Sequence, residues 1–202
     1  MAARRNYAKG TARRQQIVAK AFTAFSTQGF RGASILQIAA DCGVSRAGLL
    51  HHFPTKEDLL RAVLEERDRQ DTERFLADLG GDPPDGLVYF RQIARIIEHN
   101  AAHPGLVSLF AVLSAEATEP GHPAFEYFTR RYDLTRSRMS AALRDLAGQG
   151  ALRPGIDPGQ AAVDLVALID GLQVQWLYSP AEIDMVAHYR RRIDEILTVP
   201  LY

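Results

Sequence analysis

The sequence contains little that marks a secreted, membrane-bound or redox-active protein. Cysteine occurs once in 202 residues, at Cys42, so the chain cannot close an internal disulfide bond. No charged, apolar and small-residue leader opens the chain. The longest apolar stretch, residues 161–177, contains Asp164, Asp170 and two glutamines, which a bilayer would penalise. We therefore expect a cytoplasmic protein without a membrane segment.

Motifs of catalysis are equally scarce. The sequence contains no GxSxG, no phosphate-binding loop, no dinucleotide fingerprint and no Cys–His pairing, so we expect neither an enzyme nor a cofactor. His99 and His103 stand four residues apart, a spacing that can share a metal ion, and His122 follows at some distance. Because no third ligand is evident, we expect no metal, although binding by the pair stays open. Cys42 is expected to be a small buried residue.

No segment alternates with the period of a strand, and there is no internal repeat. Apolar residues recur instead at helical spacing, and five prolines precede long helical segments, as is typical of the first helical position. These prolines are Pro83, Pro104, Pro123, Pro158 and Pro180. The last start is predicted most sharply, with Ser179 as the N-cap and Glu182 as its capping-box partner. The sequence therefore predicts an all-α protein of about nine helices.

The net charge of zero hides an uneven distribution. Residues 1–56 contain nine Lys and Arg but one acid, Asp41, whereas the remainder contains 15 basic and 23 acidic residues. A basic segment that overlaps a helical motif is typical of a protein that binds nucleic acid. A solvated basic tail without a partner is the alternative for residues 1–10, which we predict to form a flexible arm.

Residues 34–53 have the pattern of a helix-turn-helix. A first helix is expected to end at Gly29, and Ser34 can cap a short second helix with Gln37 as a reciprocal partner. Gly43 allows a tight turn, after which Ser45 caps a third short helix. A helical hairpin without a DNA role is the alternative, whereas a winged helix would need a β-hairpin that the sequence lacks. The apolar positions of the motif are Ile35, Ile38, Ala39, Val44, Leu49, Leu50 and Phe53.

The third helix leaves a set of side chains that could read DNA. Arg46 can bond guanine edges or a phosphate, and the small Ala47 and Gly48 allow close approach to a base. His51 and His52 can donate to phosphates. Ser34 and Lys56 stand at helix starts, which favour a phosphate, although Ser34 also fits a plain cap and Lys56 a plain surface charge.

The run GFRGASILQIAADCGVSRAGLLHHFPTKEDLLRAV, residues 29–63, closely resembles the DNA-binding region of TetR-family repressors, and QQIVAKAFTAF ahead of it also fits. The sequence departs from the family at Leu50, where Tyr is usual, and at Gly48, where Thr is frequent, so phosphate contacts from these two positions are not expected. The resemblance implies a DNA-facing set that comprises Ser34, Ser45, Arg46, Ala47, Gly48, His51, His52, Thr55 and Lys56.

The resemblance also implies a C-terminal helical domain that binds a ligand and dimerises through the last two helices. We predict an arm at 1–10, a DNA-binding domain at 11–63 and a ligand-sensing and dimerisation domain at 64–202. Residues 161–177 are apolar nearly all round, so a partner chain or the centre of a monomeric bundle must cover them. Pocket candidates, for which plain core is the alternative, are Phe90, Phe110, Tyr127, Phe128, Arg131, Tyr132, Asp170, Gln173 and Trp176.

These observations predict a sequence-specific transcriptional regulator. A homodimer would bind a palindromic operator on double-stranded DNA, and a small-molecule inducer would release it, as expected of a repressor. Activation instead of repression stays open, as do the operator and the ligand. The alternative is a helical enzyme or small-molecule-binding protein that merely has a basic N-terminal segment.

Overall fold

The computed structural model describes residues 2–76 and 85–202, with the backbone alone for residues 2–9 and Leu76. In these ranges the chain is all-α, as predicted, and an isolated antiparallel bridge joins Leu152 to Leu197. No helix in the described ranges is long and apolar enough to cross a membrane. The helices are α1 (Ala2–Gly32), α2 (Ile35–Asp41), α3 (Arg46–His52), α4 (Lys56–Asp71), α5 (Gly86–Ala101), α6 (Pro104–Glu116), α7 (Phe125–Gly148), α8 (Pro158–Tyr178) and α9 (Met185–Ile196).

The start of α1 differs from the prediction. Residues 2–10, predicted as a flexible arm, have helical backbone continuous with α1. Alanine, arginine and lysine dominate this segment, and all three are strong helix formers, whereas the first strong helix breaker is Gly10. The predicted break at Gly29 is confirmed, because this residue has φ 68° and ψ −178° and interrupts the helix three residues before its end. Phe30 folds back on Phe25, with ring centroids 6.1 Å apart.

The helix starts agree with the sequence at some positions and not at others. Pro104 and Pro158 begin α6 and α8 as predicted. The start predicted at Ser179 and Pro180 is wrong: Ser179 ends α8, and Asp184 caps α9 by accepting a hydrogen bond from the N–H of Ala187 at 2.9 Å. After α4, residues 72–76 form a π-helical turn. The start predicted at Pro83 lies outside the described residues.

The chain divides into two compact units. Unit 1 comprises residues 1–69 and 108–125, and unit 2 comprises residues 70–107 and 126–202. Unit 1 therefore takes in residues 64–69 and 108–125 in addition to the segment 11–63 predicted as the DNA-binding domain. Its buried apolar side chains come from α1 to α4 and from α6, where Leu109 and Leu113 are fully buried.

Unit 2 has a continuous core built from α5, α7, α8 and α9. Tyr189 of α9 is completely buried and its hydroxyl donates to the carbonyl of Phe90 at 3.3 Å. Burial raises the pKa of this hydroxyl well above its usual value. Gly86 opens α5 where a side chain would not fit, since a Cβ there would lie 2.6 Å from the carbonyl oxygen of Ala142 on α7. The first turn of α5 therefore packs directly against α7.

Candidate nucleic-acid interface

The turn between α2 and α3 has the geometry that the sequence predicts. Gly43 has φ 65°, in the left-handed region that favours glycine. The N–H of Val44 donates back to the carbonyl of Ala39 at 3.0 Å, which closes the turn. Arg13 of α1 donates to the carbonyl of Cys42 at 3.0 Å and so satisfies one of the last carbonyls of the α2 segment. Two short helices are thus fixed at a tight corner against α1.

The side chains of α3 include both buried and exposed residues. Ser45 caps the helix, because its hydroxyl accepts a hydrogen bond from the N–H of Gly48 at 3.0 Å. Leu49 is fully buried and anchors the helix to the core of unit 1, whereas Arg46 and Ala47 are exposed in the first turn. One face of α3 is therefore held by packing while the other is free to enter a groove of DNA.

Thr55 caps the start of α4. The hydroxyl of Thr55 donates to the carboxylate of Asp58 at 2.8 Å and accepts from the N–H of Asp58 at 3.0 Å. Lys56 is half-buried: its Nζ lies 4.7 Å from the ring centroid of Phe30 and donates to the carbonyl of Arg31 at 3.3 Å. Burial lowers the pKa of this ammonium group. The side chain is thus held in place and is not a freely moving surface charge.

The structure places the nine predicted DNA-facing residues at the caps and outer positions of α2, α3 and α4. Ser34, Ser45, Arg46, Ala47, His51 and Thr55 are exposed, and Gly48, His52 and Lys56 are half-buried. Ser34 caps α2 by accepting from the N–H of Gln37, but the side chain of Gln37 donates to Asp41 instead of returning the bond, so the predicted capping box is wrong. Contact with DNA by these nine residues stays a prediction.

Two arginines of α1 belong to this surface and were not foreseen from the sequence. Arg13 supports the turn through Cys42, and the guanidinium carbon of Arg14 lies 4.7 Å from the ring centroid of Phe53, just after α3. In the sequence, the adjacent Arg13 and Arg14 indicate only an exposed basic face of α1. The partners lie 29 and 39 positions along the chain, beyond any local pattern.

The residues predicted to line a ligand pocket are dispersed. Phe110 belongs to unit 1, where the guanidinium carbon of Arg67 lies 5.7 Å from its ring centroid. Phe90 and Trp176 are buried in the core of unit 2, while Tyr127 and Arg131 are half-buried. A small cavity of about 10 Å³, no more than the space of about one water molecule, includes Gln173 among its lining residues. The others in that lining are Ile97, Asn100, Ile169, Leu172 and Met185.

A polar pair in unit 2 joins two of the predicted residues. The hydroxyl of Tyr132 on α7 donates to the carboxylate of Asp170 on α8 at 2.8 Å. Burial raises the pKa of Asp170, although this hydrogen bond and the charge of Arg131 act in the opposite direction. Tyr132 also approaches Phe128, with ring centroids 6.4 Å apart. A carboxylate in such an apolar setting could anchor a polar group of a ligand.

The histidines flagged as metal candidates meet other partners. The rings of His99 and His103 lie 4.3 Å apart between centroids, and His103 contacts the carbonyl of His99 through Nδ1 at 2.7 Å. Arg74 approaches both ring nitrogens of His99, the nearer at 2.9 Å. In residues 2–76 and 85–202, no group of three or more His, Cys, Asp or Glu side chains is arranged to hold a metal ion.

An exposed helix that projects its polar face from a packed three-helix head defines a helix-turn-helix DNA-binding regulator. Comparison with known families agrees. The model described as "Bacterial regulatory proteins, tetR family" matches residues 17–63, and the model "BetI-type transcriptional repressor, C-terminal" matches residues 98–198, half of the chain. The chain therefore belongs to the TetR family of bacterial transcriptional regulators, with a DNA-binding N-terminus and a ligand-binding C-terminal domain.

Curated relatives support this assignment over most of the sequence. The chain is 27% identical to the HTH-type transcriptional regulator TtgR of Pseudomonas putida over 196 residues, which cover 90% of this chain and 88% of that protein. It is 25% identical to AcrR of Shigella flexneri over 191 residues, or 93% and 89% of the two chains. The alternative of a helical enzyme or carrier with a basic tail is not favoured.

Solved structures show the same fold. SmeT, the repressor of the Stenotrophomonas maltophilia multidrug efflux pump SmeDEF, matches in its triclosan complex with a TM-score of 0.78, 20% identity and coverage of 95% of this chain and 94% of that one. A putative regulator from Saccharomonospora viridis, solved with choline, matches with a TM-score of 0.77, 24% identity and coverage of 94% and 100%. At these identities the likeness shows the fold alone.

Proposed function

We propose that this regulator is a repressor that binds a palindromic operator with one α3 in the major groove of each half-site. The exposed first turn of α3, opposite the fully buried Leu49, carries this proposal. Arg46 is positioned to contact base edges, and Ala47 and Gly48 let the helix approach closely. Lys56 contacts a phosphate and fixes the head on the backbone.

Selection of bound fragments from a random DNA pool, followed by anisotropy titrations, tests this assignment. Arg46→Ala changes the base preference at one position of each half-site. Lys56→Ala instead weakens binding to all sequences equally and makes log K less dependent on log salt. Arg130→Ala is a matched control, since it removes one exposed charge on α7 whose partner is Glu126. Operator affinity that is the same in the Arg46 and Lys56 variants as in the wild type would refute the contact assignment.

The repressor acts as a dimer, and we propose α8 and α9 as its interface. The inner side of α8 is buried in unit 2, yet Val163, Val174 and Leu177 on its outer side are 51%, 45% and 37% exposed. Apolar side chains along two sides of one helix are typical of a helix that a second subunit covers. Val174→Asp is expected to yield monomers in sedimentation, while Arg130→Ala stays dimeric.

A small apolar or amphipathic ligand bound in unit 2 ends repression in our proposal. The ligand must bind the DNA-incompetent arrangement more tightly, because equal affinity for both arrangements would shift nothing. The cavity next to Gln173 is too small for such a ligand, so a ligand that binds there requires the residues lining the cavity to separate. Thermal shift with a panel of compounds, followed by operator release with those that bind, tests this step.

A further inference from the structure

The end of α1 is held by a carboxylate from α6. In unit 1, the N–H of Phe30 donates to the carboxylate of Glu116 at 2.6 Å. Gly29 makes room for that carboxylate, because a Cβ at this position would lie 2.4 Å from Oε1 of Glu116. At the interruption of α1, a charge-assisted hydrogen bond therefore joins the N–H of Phe30 to the carboxylate of Glu116 on α6.

The other side of Phe30 supports Lys56. The ammonium group lies 4.7 Å from the centroid of the Phe30 ring and donates to the carbonyl of Arg31, the next residue. Both supports of Lys56 thus belong to the two residues that directly follow Gly29. A displacement of this segment would displace the ammonium group with it.

Further contacts show that α6 and the residues after it are fastened to this end of α1. Ser108 donates to the carbonyl of Ser26, and Arg31 pairs with Glu119. His122 is buried with its ring edge against Phe30, at 5.2 Å between centroids, and its Nδ1 accepts from the N–H of Ala124 at 3.1 Å. Its Nε2 lies 3.9 Å from the carboxylate of Glu116.

These contacts have a consequence for DNA binding. Glu116 and His122 belong to the segment that matches the C-terminal repressor model, whereas Phe30 and Lys56 belong to the segment that matches the DNA-binding model. We propose that Glu116 is a positioning residue for operator binding, which fixes the Phe30–Arg31 segment so that Lys56 presents its charge to a DNA phosphate. The inference rests on the proposed phosphate contact of Lys56.

The salt dependence of operator affinity tests this role, since a merely structural residue would leave the number of neutralised phosphates unchanged. Each phosphate contact contributes a slope of about −0.9 to log K against log salt. Lys56→Ala should lower the magnitude of the slope by about 0.9 per contact. Glu116→Ala should lower it by at least half as much, and Glu116→Ala in the Lys56→Ala background should have no further effect on the slope.

Two variants keep this test independent of folding and of charge. Glu116→Gln retains an oxygen that accepts from the N–H of Phe30, so it should restore most of the slope. Glu126→Gln removes the same charge from an exposed side chain on α7 whose partner is Arg130, so it should leave the slope at the wild-type value. All variants are compared at temperatures where circular dichroism shows them folded.

The outcomes separate the two proposals. An unchanged slope in Lys56→Ala would refute the proposed phosphate contact. A reduced slope in Lys56→Ala with a wild-type slope in Glu116→Ala would leave that contact intact and overturn the positioning role. A loss of slope in Glu126→Gln as large as the loss in Glu116→Ala would also overturn it, because charge alone would then explain the effect.

Discussion

Replacing Gly29 by alanine should destabilise unit 1 strongly, because the added Cβ strains the backbone and also collides with the carboxylate of Glu116. Alanine at φ 68° and ψ −178° occupies a region that is essentially limited to glycine, at a cost of about 1–3 kcal/mol. The new Cβ would also meet Oε1 of Glu116 at 2.4 Å. The carboxylate must then move away from the N–H of Phe30, and the hydrogen bond that it loses contributes about 1.5–3 kcal/mol.

The combined loss is about 2.5–6 kcal/mol in the free energy of unfolding of unit 1. Urea denaturation followed by far-ultraviolet circular dichroism measures it. In the Glu116→Ala background the same glycine replacement should cost only the backbone part, about 1–3 kcal/mol, because no carboxylate remains to collide with the Cβ. A Gly29→Ala loss below about 1 kcal/mol, or equal losses in both backgrounds, would refute this reasoning.

Three further changes have outcomes set by the contacts around them. Gly86→Ala should lower the stability of unit 2 by about 1–3 kcal/mol, because the Cβ would lie 2.6 Å from the carbonyl oxygen of Ala142; urea titration measures this. Leu49→Ala, at a fully buried position, should cost about 2–5 kcal/mol by urea titration. Burial lowers the pKa of His122 in the folded state, so its neutral form stabilises the fold fully above pH 6.5 and this stability is lost as the pH falls below that value. The melting temperature should therefore decrease on acidification, and the decrease should be smaller in His122→Gln.

The helix-turn-helix was predictable because its signals are local. Gly43 takes the left-handed conformation that the turn requires, and Ser45 bonds the N–H three residues later, so each feature is encoded within a few positions. The all-α architecture follows for the same reason, since helical periodicity repeats in every segment. The nine residues predicted to face DNA could be named from this pattern and from the family resemblance, and their contacts with DNA stay a prediction.

The start of α9 shows where local signals compete. Ser179 and Pro180 match a helix start, yet the N–H of Ser179 is already used by the carbonyl of Gln175 at the end of α8. The N–H groups of Glu182 and Ile183 both turn back to the carbonyl of Ser179. Asp184 offers a second cap, after which α9 presents its apolar residues to the core. Which of two adequate caps begins the helix is decided by packing, and no sequence rule contains that information.

The contact of Glu116 with Phe30 could not be predicted from the sequence, for a different reason. The two residues are 86 positions apart, and Glu116 in the sequence is one acid at the end of an apolar helix. Gly29 was predicted as a helix end, which explains its backbone conformation but not the carboxylate that fills the space beside it. A glycine that satisfies two requirements at once looks the same in the sequence as one that satisfies a single requirement. The space beside such a glycine must therefore be inspected before its role is assigned to the helix end alone.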